Sequence, residues 1–269
     1  MLAIDVSKHN GQIDWEKVKA AGCDVAIVRM GYGLGHVDPW YHRHIVGAEQ
    51  AGLHTGIYWY SYALTPEQAA VEAVHVIRLL GTRRFGKFPV WFDLEDADGY
   101  KQRNGYHFTR ANGTAIAQAF MRRLKNVGIP VGLYANKDWL TNYVDADALD
   151  CDIWLAHYTT QTDYQGKYVM WQYTEHGKLA GVDGKVDLNY VYQNYWEDDV
   201  QMKVYKHTTE MPEWARDTFV RLVKADVVKV DENGEIEVQE CSVQPMVYLD
   251  RLCHGHVELL SEAVKQLSQ

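Results

Sequence analysis

The sequence has no long apolar run, no block of basic residues and few cysteines. Without about 20 consecutive apolar residues there is nothing from which to build a membrane-spanning helix. Lys and Arg number 27 against 36 Asp and Glu, a formal net charge of −9. An acidic chain without a basic cluster does not attract nucleic acid or an anionic membrane by bulk charge, so neither is expected as a partner. The four cysteines, Cys23, Cys151, Cys241 and Cys253, show no CxxC spacing and sit on apolar or mixed segments. They read as buried free thiols, which suits synthesis in a reducing compartment. No export signal is visible, because after Met1 and Leu2 the chain runs straight into a strand-like segment carrying a carboxylate. Either the protein is made without export or the chain begins at a mature end; cytoplasmic synthesis, with action on its target after release, is the expectation. GxSxG, P-loop and GxGxxG patterns are missing, so serine-hydrolase and nucleotide readings lack support. The pairs His42/His44 and His254/His256 are spaced two apart, do not share a helix face and complete no zinc set. Neither a metal nor a cofactor is expected.

What is present is an ordinary globular balance, 47% hydrophobic and 23% charged, over 269 residues. That length allows one large domain or two unequal ones. Aromatic residues are plentiful: of 9 Trp and 18 Tyr, all but Trp214, Tyr205 and Tyr248 precede residue 197. Short apolar runs alternate with amphipathic stretches up to Trp196. Strands are expected over 2–6, 25–29, 54–60, 89–94, 130–134, 153–157, 169–173 and 185–188. Helical spacing appears at 15–21, 40–52, 66–80, 109–127 and 137–142. Thr65-Pro66 supplies a hydroxyl cap and a proline at the first helical position. Alternation of this kind implies parallel pairing, and eight strands suggest closure. The last two crossovers are too short for full helices. The expected fold is therefore α/β: an irregular (β/α) barrel of eight mostly parallel strands, with helices missing from its second half, plus a small α+β C-terminal domain. The expected boundaries are a barrel over 1–196, a linker over 197–211 and a module over 212–269.

The segment Val90-Trp91-Phe92-Asp93-Leu94-Glu95-Asp96 carries the sharpest chemical signal. Residues two apart on a strand share a face, so Asp93 and Glu95 project together at the carboxyl end of a barrel strand. Two crowded carboxyl groups repel, so one holds its proton to higher pH. A protonated acid beside a carboxylate is the pairing that glycoside hydrolysis uses. The bland reading is that such acids only cap the next helix. Asp5 and Asp187 weigh against it, since they sit on the first and eighth strands, which become neighbours when a barrel closes. Asp5, Asp93, Glu95 and Asp187 are then expected on one rim. Tyr60, Tyr62, Tyr134, Trp154 and Tyr158 lie at or just past strand ends, where they can stack on sugar rings or simply pack the rim. Gln172 is a candidate sugar hydrogen-bonding group. Arg29 is expected to partner an active-site carboxylate.

Ile4-Asp5-Val6-Ser7-Lys8-His9-Asn10-Gly11 with Ile13-Asp14-Trp15 resembles the opening of glycoside hydrolase family 25 lysozymes. These are the Chalaropsis-type muramidases common among phage endolysins and bacterial autolysins. The resemblance continues through 28–33, 56–62, Asp93-Leu94-Glu95, 132–134, 154–158, 171–173 and Val186-Asp187-Leu188-Asn189. It implies an irregular β/α barrel, bacterial peptidoglycan as partner and cleavage of the β-1,4 bond between N-acetylmuramic acid and N-acetylglucosamine, as by a phage or prophage endolysin. By the same resemblance Glu95 is the general acid and Asp93 its partner, with Asp5 and Asp187 tuning both. Either a glycosyl-enzyme or an oxazolinium formed by the substrate's own acetamido group fits that pair.

The tail, read as a helix over 213–224, short strands at 227–230 and 235–238 around Asp231-Glu232-Asn233-Gly234, and helices over 243–252 and 257–267, resembles one S-layer-homology module. The usual Thr-Arg at the start of its second helix is absent. Cell-wall binding and self-association, as a homodimer, are both open. Two other readings of the whole chain are a catalytically silent glycan-binding barrel, which should lack one of the four acids, and a metal-dependent barrel enzyme, which a chelator should silence.

Overall fold

The computed structural model describes residues 1–196 and 204–239, with Val243, Met246, Val247 and Asp250 beyond them. The chain divides into two compact units, Met1–Trp196 and Glu197–Gln269.

The first unit is a closed barrel. Its strands are β1 (Leu2–Val6), β2 (Val25–Tyr32), β4 (His54–Tyr60), β5 (Val90–Asp93), β6 (Val131–Asn136), β7 (Ile153–Ala156), β8 (Met170–Gly177) and β9 (Val186–Val191), with a short β3 (His36–Val37) turned back on β2. The sheet runs β1-β9-β8-β7-β6-β5-β4-β2-β3, and pairing of β1 with β2 closes it. Pairing is parallel from β1 through β2 and β4 to β8, but β9 is antiparallel to both neighbours. The short β8–β9 connection explains this. A parallel crossover needs roughly a dozen residues or more, whereas an antiparallel return needs only a turn.

Period-two alternation assigns the two faces of every strand. Ile4, Val6, Val28, Ile57, Phe92, Leu133 and Leu155 point outward into the large core beneath the helices. Ala3, Val25, Ile27, Trp91, Tyr134, Trp154 and Met170 point inward and fill the barrel. Gly132 makes room for that filling, since a Cβ there would lie 2.4 Å from the Trp91 ring. Helices α1 (Trp15–Ala20), α2 (Tyr41–Gln50), α3 (Pro66–Leu80), α4 (Tyr100–Arg103) and α5 (Arg110–Lys125) cover the first part of the barrel. Thr65 and Thr109 cap α3 and α5, accepting from the amides of Gln68 and Asn112. After β6 only single helical turns occur, Trp139–Tyr143 and Ala146–Ala148, and no helix joins β7 to β8 or β8 to β9. The irregular, mostly parallel barrel expected from the sequence is thus present, with its helices missing where the crossovers are short.

The second unit has its own small core. Helix α6 (Glu213–Lys224) buries Ala215, Phe219 and Leu222 against Tyr205, Met211, Val228, Ile236 and Val238. β10 (Val204–Tyr205) pairs with β11 (Val238–Gln239). Two expectations are corrected here. Residues 204–211 are not linker, because Tyr205 and Met211 are each 1% exposed inside this core. Residues 227–230 form no strand, because the partner of β11 is β10. Most of the helix expected over 243–252, and all of that over 257–267, lies outside the described residues.

Candidate active site

Strand alternation sends Asp5, Arg29, Tyr58, Tyr60, Asp93, Tyr134, Trp154, Gln172, Asp187 and Asn189 to the inner face of the barrel. Those nearest the rim line a cavity of about 340 Å³ that contains all four expected carboxyl groups, Asp5, Asp93, Glu95 and Asp187. Asp187 reaches this rim by a different route from that expected. It stands near the start of β9, and because β9 runs backwards its start lies where the parallel strands end. Asp5 and Asp187 face each other directly across the β1–β9 ladder. Asp93 is the last residue of β5, flanked in register by Tyr60 on one side and Tyr134 on the other. Glu95 lies two residues beyond the strand, in the following loop.

Asp5 is held by two neighbours that are themselves cross-strand partners, Gln172 and Asn189. Gln172 Nε2 donates to Asp5 Oδ2 at 2.9 Å, and Asn189 Nδ2 donates to the same oxygen at 2.8 Å. Behind them, Tyr134 and Tyr158 each donate a phenol O–H to Gln172 Oε1, at 2.8 and 2.9 Å, and Trp154 Nε1 donates to Asn189 Oδ1 at 2.8 Å. Asp5 is thus the acceptor at the head of a buried network rooted in three aromatic residues.

Burial drives the electrostatics. It pushes Asp5 up to about 6, against the lowering effect of its bonds from Asn189 and Gln172. Asp187 is pushed up to about 9, by burial first and then by the charge of Asp5. Facing each other, the two carboxyl groups titrate as a pair that carries one proton and one negative charge between them near neutrality. Glu95 is raised to about 7 by burial, partly offset by the Lys101 ammonium. Asp93 is raised well above the ordinary carboxylate range by burial and then by the charge of Glu95, again opposed by Lys101. One of its oxygens, Oδ1, is buried without a hydrogen-bond partner in the protein. Two crowded carboxyl groups of this kind share a proton in the neutral range.

The aromatic and amide candidates separate by exposure. Tyr158 is 49% exposed at the cavity edge. Tyr60 lines both the main cavity and an adjoining one of about 410 Å³, which Tyr62 also lines. Tyr62 donates to Asp98 at 2.7 Å. Trp154 is only 1% exposed, with edge contacts to Tyr58, Trp91 and Tyr134. It lies at the floor of the cavity among those rings, the packing arrangement of the two that the sequence left open. Gln172 is 3% exposed with both ends of its amide engaged, so it holds Asp5 and is not free for a sugar. Arg29 pairs with Asp38 at 2.8 Å, not with a rim carboxylate. Asp38 itself, Asn189, Tyr58 and Lys101 were not singled out in the sequence. Asn189 stands two residues after Asp187, the same strand spacing that drew attention to Asp93 and Glu95. Lys101 gives no local signal.

Comparison with known proteins agrees with this architecture. The model of the Glycosyl hydrolases family 25 matches residues 4–182. The chain is 25% identical over 190 residues to the autolytic lysozyme of Clostridium acetobutylicum, covering 70% of this chain and 55% of that protein. It is 26% identical over 194 residues to lysozyme M1 of Streptomyces globisporus, covering 69% and 66%. Among solved structures, the modular autolysin LytC of Streptococcus pneumoniae, in complex with a synthetic peptidoglycan ligand, superposes with a TM-score of 0.62 at 26% identity. That match covers 70% of this chain and 46% of that one. The chain therefore spans less than two thirds of the length of these relatives. The family match runs from within β1 into the β8–β9 connection and hence includes Asp5, Asp93 and Glu95; it takes in well over half of the sequence, and the chain belongs to glycosyl hydrolases family 25.

Proposed function

We propose that the barrel is an N-acetylmuramidase that hydrolyses the β-1,4 bond between N-acetylmuramic acid and N-acetylglucosamine in bacterial peptidoglycan. The observation that carries this reading is the convergence of Asp5, Asp93, Glu95 and Asp187 on one cavity of a family 25 barrel. Glu95 is the general acid. The pair shares a proton near neutrality, and Glu95, the less buried of the two and beyond the end of β5, is the one placed to deliver it to the leaving glycosidic oxygen. Asp93, deep in the wall, is the carboxylate facing the positive charge that develops on the sugar. The Asp5–Asp187 pair, with Asp5 fixed by Gln172 and Asn189, shares one negative charge and extends the negative field along the rim. Tyr158, Tyr60 and Tyr62 offer ring surface to the glycan along the cavity edge. The C-terminal unit stands in this reading as an accessory module for wall binding or self-association. Sedimentation of the full chain, alone and with purified walls, separates those two roles.

Mass analysis of muropeptides released from purified walls tests the reaction. New reducing ends on N-acetylmuramic acid are expected. Reducing N-acetylglucosamine, or free stem peptides, would refute it.

A further inference from the structure

Lys101 is a lysine with no exposed surface, and it is not among the residues lining either cavity. Burying an ammonium is costly unless it is bonded and electrically compensated. Here a bonded partner and acidic neighbours around the proposed catalytic pair oppose that cost, although burial outweighs them and holds the Lys101 ammonium below the ordinary lysine range. Its Nζ donates to the Ser61 carbonyl, and it lies 6.0 Å from the centre of the Tyr60 ring. The Ser61 amide in turn donates to the Asp93 carbonyl at 2.9 Å. Lys101 is thus one residue removed from the backbone of Asp93. The next amide, that of Tyr62, donates at 2.9 Å to Glu72, which is also fully buried. Lys101 from α4 and Glu72 from α3 therefore grip the two sides of one peptide unit, that between Ser61 and Tyr62, just past the end of β4. The backbone of Lys101 is fixed as well: its amide and that of Gln102 donate to the two oxygens of Asp96, at 2.6 and 3.0 Å.

The acidic groups whose charge Lys101 feels are Glu72 from α3, Asp93 from β5, and Glu95 and Asp96 from the loop after β5. The other cation acting on Asp93 is Arg29, which is already paired with Asp38. We infer that Lys101 is a positioning residue of the site: its ammonium, anchored on Ser61 behind the cavity wall, ties the ends of β4 and β5 together and supplies the buried positive charge that faces the Asp93–Glu95 pair. The inference rests on the muramidase reading for the identity of the reaction, but not for the charge state of the lysine. Lys101 makes deprotonation of both acids easier, so it sets the pH range in which the Asp93–Glu95 pair holds a single proton.

The test compares Lys101→Met and Lys101→Arg in the full chain, reading kcat/KM against pH. Removing the charge should move both limbs of the profile to higher pH, by roughly 1 pH unit, the smaller end of the shift expected for a neighbouring charge. Lys101→Arg keeps the charge and should leave the limbs in place. A Lys101→Met profile that is only lowered, with both limbs unmoved, assigns the lysine a purely structural role and overturns the inference. A measurement on the unmodified protein covers the case in which Lys101→Met does not fold: the ¹⁵N resonance of Lys101 Nζ should be that of an ammonium throughout the active pH range. A neutral amine there overturns the inference as well. Failure of the muramidase reading is separately visible, as wrong reducing ends among the wall products, and leaves the nitrogen measurement intact.

Discussion

Gln172→Met separates the role that the structure gives this residue from the sugar contact its sequence position suggested. The substitution keeps the length of the side chain and removes its amide. Three hydrogen bonds disappear: one donated to Asp5 at 2.9 Å, and two accepted from Tyr134 and Tyr158 at 2.8 and 2.9 Å. Tyr158 is half exposed and can turn to water at little cost. Tyr134 is 6% exposed, so its hydroxyl is left buried without an acceptor, at about 1–3 kcal/mol. The bond to ionised Asp5 is charge-assisted and contributes about 1.5–3 kcal/mol. Together these give a loss of roughly 3–5 kcal/mol. For a unit of this size each kcal/mol shifts the midpoint by about 2–4 °C, hence a fall of roughly 6–20 °C by calorimetry. Asp5 also loses one of the bonds that restrain its pKa, which should rise further above about 6. The low-pH edge of activity should therefore move upward. A variant with unchanged melting and an unchanged pH profile, but a raised KM, would refute this reasoning and restore Gln172 as a substrate ligand.

Further outcomes follow from the same geometry. Glu95→Gln should lower wall-clearing activity by about a thousandfold or more with the fold intact by circular dichroism, because the proton donor is gone; full lysis by this variant would remove Glu95 as the acid. In the unmodified enzyme, activity should fall about tenfold per pH unit above about 7, where Glu95 gives up its proton. Stability should move the same way. Burial raises Glu72 to about 7 from its ordinary range, so its contribution is complete below the unfolded value and is lost as pH rises through about 7. Melting should therefore fall between about pH 5 and pH 8, and Glu72→Gln, which keeps an acceptor for Tyr62, should make that slope shallower, the buried site carboxyl groups supplying the rest; an unchanged slope would argue against Glu72 as a contributor. Tyr158→Ala should raise KM with little change in melting, while Trp154→Ala should cost about 3–5 kcal/mol and leave Asn189 short of a donor. Equal effects of the two on KM alone would contradict the difference in their burial.

Much of this protein could be read in its sequence because the relevant information is local. Strand alternation depends on neighbouring residues, so the inward face carrying Ala3 and Asp5, or Trp91 and Asp93, is written in the order of the side chains. The same holds for the capped starts of α3 and α5, and for the short final crossovers that leave no room for helices. The motifs around Asp5, Asp93-Leu94-Glu95 and Asp187 were enough to name the family and to bring four carboxyl groups to one rim. The tertiary structure decided what depends on pairing between distant segments. It turned β9 antiparallel, which sets Asp187 directly opposite Asp5 and lets the two share a proton. It placed Trp154 under the cavity and bound Gln172 to Asp5, 167 residues away in the chain. It gave Arg29 to Asp38 and put Lys101 behind Asp93. Each of these is a matter of which desolvated group meets which partner, and that is settled only when the barrel closes.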